Sequence, residues 1–105
     1  PPQDVEFSIL HDPVFEQVML IGEGRPFVVL LAVTKETDEK VLVRRANEQL
    51  KAYPRWVRVR RVIAASEPWD IDNGLLTPTM KLKRRGVFAK YARSVSSAAE
   101  GAVTS

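Results

Sequence analysis

The sequence has 105 residues, enough for one domain with a modest core but few for a complete metabolic enzyme. It contains no cysteine and one histidine, which excludes disulfides and thiolate metal sites and disfavours any metal centre. Its net charge of +3 hides an asymmetry: residues 1–40 hold three basic and eight acidic side chains, whereas residues 41–105 hold thirteen and five. The basic half suggests an anionic partner such as nucleic acid, a membrane surface or a phosphorylated small molecule, although a solvated basic face is the simpler alternative.

The start of the chain predicts a short helix, because prolines and acidic side chains suit a helix N-terminus. The helix should end before Pro13, with Val5, Ile9 and Leu10 on its buried face. His11 would lie at the helix end, where contact with terminal carbonyls is favoured over catalysis, since a general base needs an orienting partner. The chain begins Pro1-Pro2 without a methionine and without a signal peptide, so we expect a piece of a longer protein.

Two apolar runs, residues 14–22 and 26–34, predict a β-hairpin around Glu23-Gly24-Arg25. The second run is apolar from Phe27 to Val33, which is typical of a central strand covered on both faces. The glycines of this turn do not form a phosphate-binding loop, because the Gly-Lys-Ser/Thr ending is missing and the segment lies between two strands.

The middle of the chain predicts a crossover helix followed by a third strand. The helix should begin after a cap at Thr37 or Asp38 and run to about Tyr53, with the helically spaced Leu42, Ala46, Leu50 and Tyr53 facing the sheet. Alternation over residues 56–63, starting at Trp56, predicts the strand. Its arginines also allow a nucleic-acid surface, but no second interleaved aromatic residue supports that interpretation. Trp69, in the following connection, is expected to cover the lower edge of the core.

The last part of the chain contains NGLLTPTMKLKRR, residues 73–85. Pro78 breaks regular structure, and a final helix should begin at about Leu82, so Lys81 would project from a loop-to-helix junction. Residues 96–105 are expected to be a flexible tail. These elements predict an α+β fold, in which a small three-stranded sheet with a β-hairpin packs against helices.

The segment NGLLTPTMKLKRR resembles the C-terminal signature of the long-chain acyl-CoA synthetases, a branch of the adenylate-forming, AMP-binding enzyme superfamily. The segments PPQDVE, FEQVMLIGEGRPFVVLLAV and WDIDNG resemble the same family in the same order, so the likeness covers residues 1–95. In the wider superfamily a glycine precedes the signature lysine. Here Met80 precedes Lys81, as in the long-chain branch.

The resemblance implies that residues 1–95 form the mobile C-terminal lid of a fatty acid–CoA ligase, which converts fatty acid, ATP and CoA to acyl-CoA, AMP and diphosphate. It implies that Lys81 is the catalytic lysine and that the same side chain contacts ATP and the acyl-adenylate. ATP and Mg²⁺ would be held mainly by an N-terminal domain absent from this chain, so the isolated lid should be inert.

Three alternatives stay open at this stage. The first is a related enzyme that activates a carboxylic acid but passes it to another acceptor. The second is a free-standing basic nucleic-acid-binding module, and the third is a subunit-interaction domain that uses an exposed sheet edge. The preferred interpretation expects no nucleic-acid partner, no transmembrane segment and a cytoplasmic location, with peripheral membrane contact left open. Separate roles for Lys83, Arg84 and Arg85 cannot be assigned from the sequence.

Overall fold

The computed structural model describes residues 2–22 and 28–104, with side chains as far as Ala98. Its elements are α1 (Pro2–Ile9), β1 (Gln17–Ile21), β2 (Val28–Val33), α2 (Glu39–Glu48), β3 (Val59–Ala65), α3 (Arg84–Lys90) and α4 (Ala92–Thr104). The strands lie in the order β1-β2-β3, with β1 antiparallel and β3 parallel to β2. The predicted α+β class, with three strands packed against helices, is confirmed.

Strand β2 is the central strand, as its unbroken apolar sequence predicted. Leu30 and Ala32 pack on one face with side chains of α1 and α2. Val29, Leu31 and Val33 pack on the other face with side chains of α3 and α4. Successive residues of a strand point to opposite faces, so both sets must be apolar when both faces are covered. The hairpin strands β1 and β2 pair as expected, whereas the predicted turn, Glu23-Gly24-Arg25, lies outside the described residues.

Helix α2 is the predicted crossover between the parallel strands β2 and β3. The Asp38 side chain caps it by accepting a hydrogen bond from the Lys40 N–H at 3.0 Å. The helix ends at Glu48, earlier than predicted, and hydrogen-bonded turns continue the chain to Tyr53. Leu50 lies in these turns and is still fully buried, so the apolar spacing identified the right side chains but extended the helix too far.

Three apolar side chains differ from their predicted positions. Leu10 follows the last residue of α1 and is 39% exposed rather than buried. Trp56 is 83% exposed and precedes β3, because a turn closed by the Val57 N–H and the Pro54 carbonyl takes it away from the sheet. Trp69 is 1% exposed, so it lies inside the core rather than at its lower edge. Its indole N–H donates a hydrogen bond to the Tyr91 hydroxyl at 3.0 Å.

The single predicted final helix is two helices, α3 and α4, separated at Tyr91. It does not begin at Leu82, because Leu82 forms an antiparallel bridge with Leu76. The backbone of α4 is helical to Thr104, and the mobility of residues 96–105 in solution stays a prediction. Within the described part of the chain, no helix is long and apolar enough to cross a membrane.

Carboxylate side chains accept hydrogen bonds from backbone N–H groups on both outer edges of the sheet. On β1, the Glu6 carboxylate accepts a hydrogen bond from the Leu20 N–H at 2.7 Å. On β3, the Glu39 carboxylate accepts from the Val62 N–H at 3.0 Å. Occupied edge groups cannot pair with a strand of another molecule, so these contacts count against a subunit interface built on edge pairing.

Candidate functional site

Lys81 is the last residue of a short loop closed by the bridge between Leu76 and Leu82. The Thr77 N–H donates to the Lys81 carbonyl at 2.8 Å, and the Lys81 N–H donates to the Thr77 hydroxyl at 3.1 Å. The Thr77 carbonyl also accepts from the Met80 N–H at 2.8 Å. Both backbone groups of Lys81 are therefore bound by one residue, which fixes the point from which its side chain leaves the loop.

Met80, the residue before the lysine, has a backbone φ of +67°. Few residues with a side chain adopt this left-handed conformation, whereas glycine adopts it without steric cost. The glycine that the superfamily pattern would place before the lysine could adopt this turn without steric cost. A methionine here keeps the same turn at the expense of local backbone strain.

A second turn holds the loop against the core. Asp70 and Asn73 exchange side-chain to backbone hydrogen bonds of 2.7 and 3.0 Å. The Asp70 carbonyl accepts from the N–H groups of Leu75 and Leu76, and both leucine side chains are buried. Gly74 lies in this turn with a φ of +80°, a backbone conformation that glycine adopts without steric cost.

The Lys81 side chain is exposed, and its ammonium group forms no hydrogen bond or ion pair with any described residue. By contrast, Lys90 lies 3.8 Å from Glu67, and Arg84 is paired with Glu6. A fixed backbone that carries an uncompensated ammonium can present positive charge to an anion on another molecule or domain. The geometry permits the predicted catalytic role, which stays a prediction.

No sequence pattern predicted the ion pair between Glu6 and Arg84. Glu6 is 5% exposed, and its two carboxylate oxygens accept from the Arg84 guanidinium at 2.6 and 2.9 Å. The hydrogen bond to Glu6 raises the pKa of Arg84 above its ordinary value, although burial opposes the shift. The two residues are separated by 78 positions, so no local pattern could have joined them.

A groove of about 310 Å³ runs between α1, the outer edge of β1 and the Lys81 loop. Its lining includes Glu6, Leu82 and the exposed side chains of Phe7, Leu10 and Met80. Across the residues described, no group of three or more His, Cys, Asp or Glu side chains could hold a metal ion. We therefore assign no Mg²⁺ site to this part of the chain.

The fold is that of a segment of adenylation domains. Over 91% of this chain it superposes with a TM-score of 0.83 on the A domain of carboxylic acid reductase from Segniliparus rugosus, solved with AMP and a co-purified carboxylic acid. The corresponding domain from Mycobacterium chelonae gives a TM-score of 0.82 over 90% of the chain. Sequence identities of 18% and 16% mean that this likeness establishes the fold alone.

Two curated relatives from Arabidopsis thaliana are similar to this chain in sequence. The chloroplastic long-chain-fatty-acid–[acyl-carrier-protein] ligase AEE15 is 31% identical over 105 residues. Probable acyl-activating enzyme 16, also chloroplastic, is 25% identical over 116 residues. Each match covers 90% of this chain, but only 14% and 16% of the relatives' lengths. No protein-family model matches the chain.

Together, fold and relatives fit the adenylate-forming, carboxylate-activating class of enzymes, and the predicted relation to enzymes is confirmed. They do not single out the long-chain acyl-CoA synthetases, because the more similar relative is a ligase for a carrier protein. They also do not favour a free-standing nucleic-acid-binding module. The cytoplasmic location stays a prediction, since both relatives are chloroplastic.

Proposed function

We propose that this chain is the C-terminal lid of a larger ATP-dependent enzyme that activates long-chain fatty acids, and that Lys81 supplies the ammonium required for adenylation. The observation that carries the proposal is the state of Lys81: its backbone is held by Thr77, and its exposed ammonium pairs with none of the side chains that the structure describes. The relatives, of which this chain matches a small part, support a missing N-terminal domain as its main partner.

The chemistry explains the need for a cation. In adenylation a fatty-acid carboxylate oxygen attacks the α-phosphorus of ATP, a new P–O bond forms, and pyrophosphate leaves with the electrons of the broken bond. Two anions approach each other, and charge accumulates on the phosphoryl oxygens. A fixed ammonium that contacts both the carboxylate and the α-phosphate stabilises this arrangement without transferring a proton. The AMP bound to the A domain from Segniliparus rugosus supports ATP as the nucleotide.

The acyl acceptor has two candidates. The sequence signature favours CoA, which gives a fatty acid–CoA ligase. The relative with 31% identity is named for an acyl-carrier-protein substrate, which favours a carrier protein as the second candidate. In both cases a thiol attacks the acyl carbon of the adenylate and AMP leaves, so the acceptor does not alter the proposed role of Lys81.

The test is Lys81→Ala in the full-length enzyme, with the two half-reactions measured separately. We expect pyrophosphate exchange that depends on fatty acid to fall by about 10²- to 10³-fold, the range for removing one transition-state contact. Thioester formation from supplied acyl-adenylate should change by less than about threefold, because the charge acts in the first step. Assays with CoA and with a carrier protein then identify the acceptor.

Lys83→Ala is the matched control, since Lys83 is also exposed, lies two positions further along, and forms no ion pair among the described side chains. Removing it should leave adenylation within about threefold of the wild type, because a screened surface charge contributes little. Equal losses in the two variants would indicate a general effect of local charge. Equal loss of both half-reactions in Lys81→Ala would contradict the assigned role.

A further inference from the structure

The ion pair between Glu6 and Arg84 connects three elements beside the Lys81 loop. Glu6 belongs to α1 and Arg84 is the first residue of α3, which pack on opposite faces of the sheet. The same carboxylate accepts a hydrogen bond from the Leu20 N–H on the open edge of β1. The contact therefore joins the two helical layers around the edge of the sheet.

Arg84 is three residues after Lys81 and is the first residue of α3. Its N-cap residue, Lys83, provides no side-chain capping hydrogen bond. The backbone is held by the bridge at Leu82 and by the Lys83 N–H, which donates to the Leu75 carbonyl at 2.9 Å. The bidentate contact of Arg84 adds a charged side-chain anchor between the end of the Lys81 loop and the rest of the domain.

We propose that Arg84 is a positioning residue for adenylation, which orients the Lys81 loop through the buried carboxylate of Glu6. This inference rests on the proposed function, because it requires Lys81 to act on the reacting groups. A planar guanidinium can bind both carboxylate oxygens at once and so fixes direction as well as distance. A lysine keeps the charge at this place but cannot reproduce the two parallel bonds.

A purely structural role is the competing explanation, and the chain provides a matched pair to separate the two. Arg45 also forms two hydrogen bonds, of 2.7 and 2.8 Å, with the buried carboxylate of Asp12. The arginine side chains have similar exposure, 40% for Arg45 and 35% for Arg84. Asp12 lies between α1 and β1, and Arg45 lies on α2. Neither residue therefore belongs to the Lys81 loop or to α3.

The experiment compares Arg84→Lys with Arg45→Lys in the full-length enzyme. For Arg84→Lys we expect kcat for adenylation to fall by about 10- to 100-fold, since a shift of about 1 Å at a reacting group can have an effect of this size. The KM for ATP and the rate of thioester formation from supplied acyl-adenylate should stay within twofold of the wild type. Arg45→Lys should leave all three quantities within twofold.

A loss in adenylation that is equal in Arg84→Lys and Arg45→Lys, or no loss in Arg84→Lys, would overturn the inference. If Arg84→Lys does not fold, Glu6→Gln is measured instead, because glutamine keeps an oxygen that can accept a hydrogen bond from Leu20 or Arg84. For this variant too, we expect kcat for adenylation to fall while the KM for ATP and the rate of thioester formation stay unchanged. Lys81→Ala separates the two proposals. If it leaves adenylation intact the proposed function fails, whereas a severe effect of Lys81→Ala with none of Arg84→Lys removes only the inference.

Discussion

The left-handed backbone of Met80 predicts that glycine stabilises the fold more than alanine does at this position, the reverse of the usual order. In most positions, replacing alanine by glycine destabilises a protein, because glycine loses more backbone freedom on folding. At a φ of +67° the order should reverse, since a side chain in this region costs about 1–2 kcal/mol that glycine avoids. We therefore compare Met80→Ala with Met80→Gly, which differ by one methyl group at the same backbone position.

We expect Met80→Gly to be more stable than Met80→Ala by about 1 kcal/mol, the steric gain less the entropic loss of glycine of about 0.5–1 kcal/mol. The Met80 side chain is 64% exposed, so its removal should contribute little in either variant. The assay is the free energy of unfolding from urea denaturation of the 105-residue chain. A difference of this size should also separate the melting temperatures by about 4–8 °C.

Ala89→Gly is the control, because Ala89 is exposed and lies in α3, where helical backbone favours alanine over glycine by about 1 kcal/mol. The two comparisons should therefore have opposite signs. If Met80→Gly is less stable than Met80→Ala, the strain assigned to this turn is wrong.

Two further predictions concern acid stability and the two tryptophans. Hydrogen bonds from Arg45 hold the pKa of Asp12 below its ordinary value of about 3.9. The ion pair therefore stabilises the fold above that pH, and this stabilisation is lost as the pH falls through the lowered pKa. Asp12→Asn should therefore flatten the pH dependence of the unfolding free energy below about pH 4, and an unchanged slope would contradict this. Trp69→Ala should lower the free energy of unfolding, measured by urea denaturation, by about 3–5 kcal/mol, whereas Trp56→Ala should change it by less than about 0.5 kcal/mol. Similar losses in the two variants would refute the burial assigned to these side chains.

Much of the fold could be predicted because its signals are local. An apolar run predicted β2 as the central strand, and the sheet does have a core on each face of it. A cap at Thr37 or Asp38, of which the structure uses Asp38, and the helical spacing of Leu42, Ala46 and Leu50 identified the crossover helix and its buried side. Each of these features depends on residues within one or two turns of one another, which a sequence pattern records directly.

The errors occurred where the chain leaves an element. Leu10, Trp56 and Leu82 each continue the periodicity of a neighbouring helix or strand, but each lies in a turn or a bridge. Periodicity indicates which face of an element is apolar, and it does not indicate where hydrogen bonds with distant residues end that element. Periodicity therefore assigned these three residues to the wrong elements.

The sequence by itself determined the identity of the candidate lysine, because a signature of consecutive residues with fixed spacing surrounds Lys81. Only the tertiary structure decided which distant groups lie beside that lysine: the buried carboxylate of Glu6 accepts hydrogen bonds from both the Arg84 guanidinium and the Leu20 N–H. The physical reason is sequence distance. A motif records neighbours along the chain, whereas the contacts that orient a loop join residues which meet only after the sheet has folded.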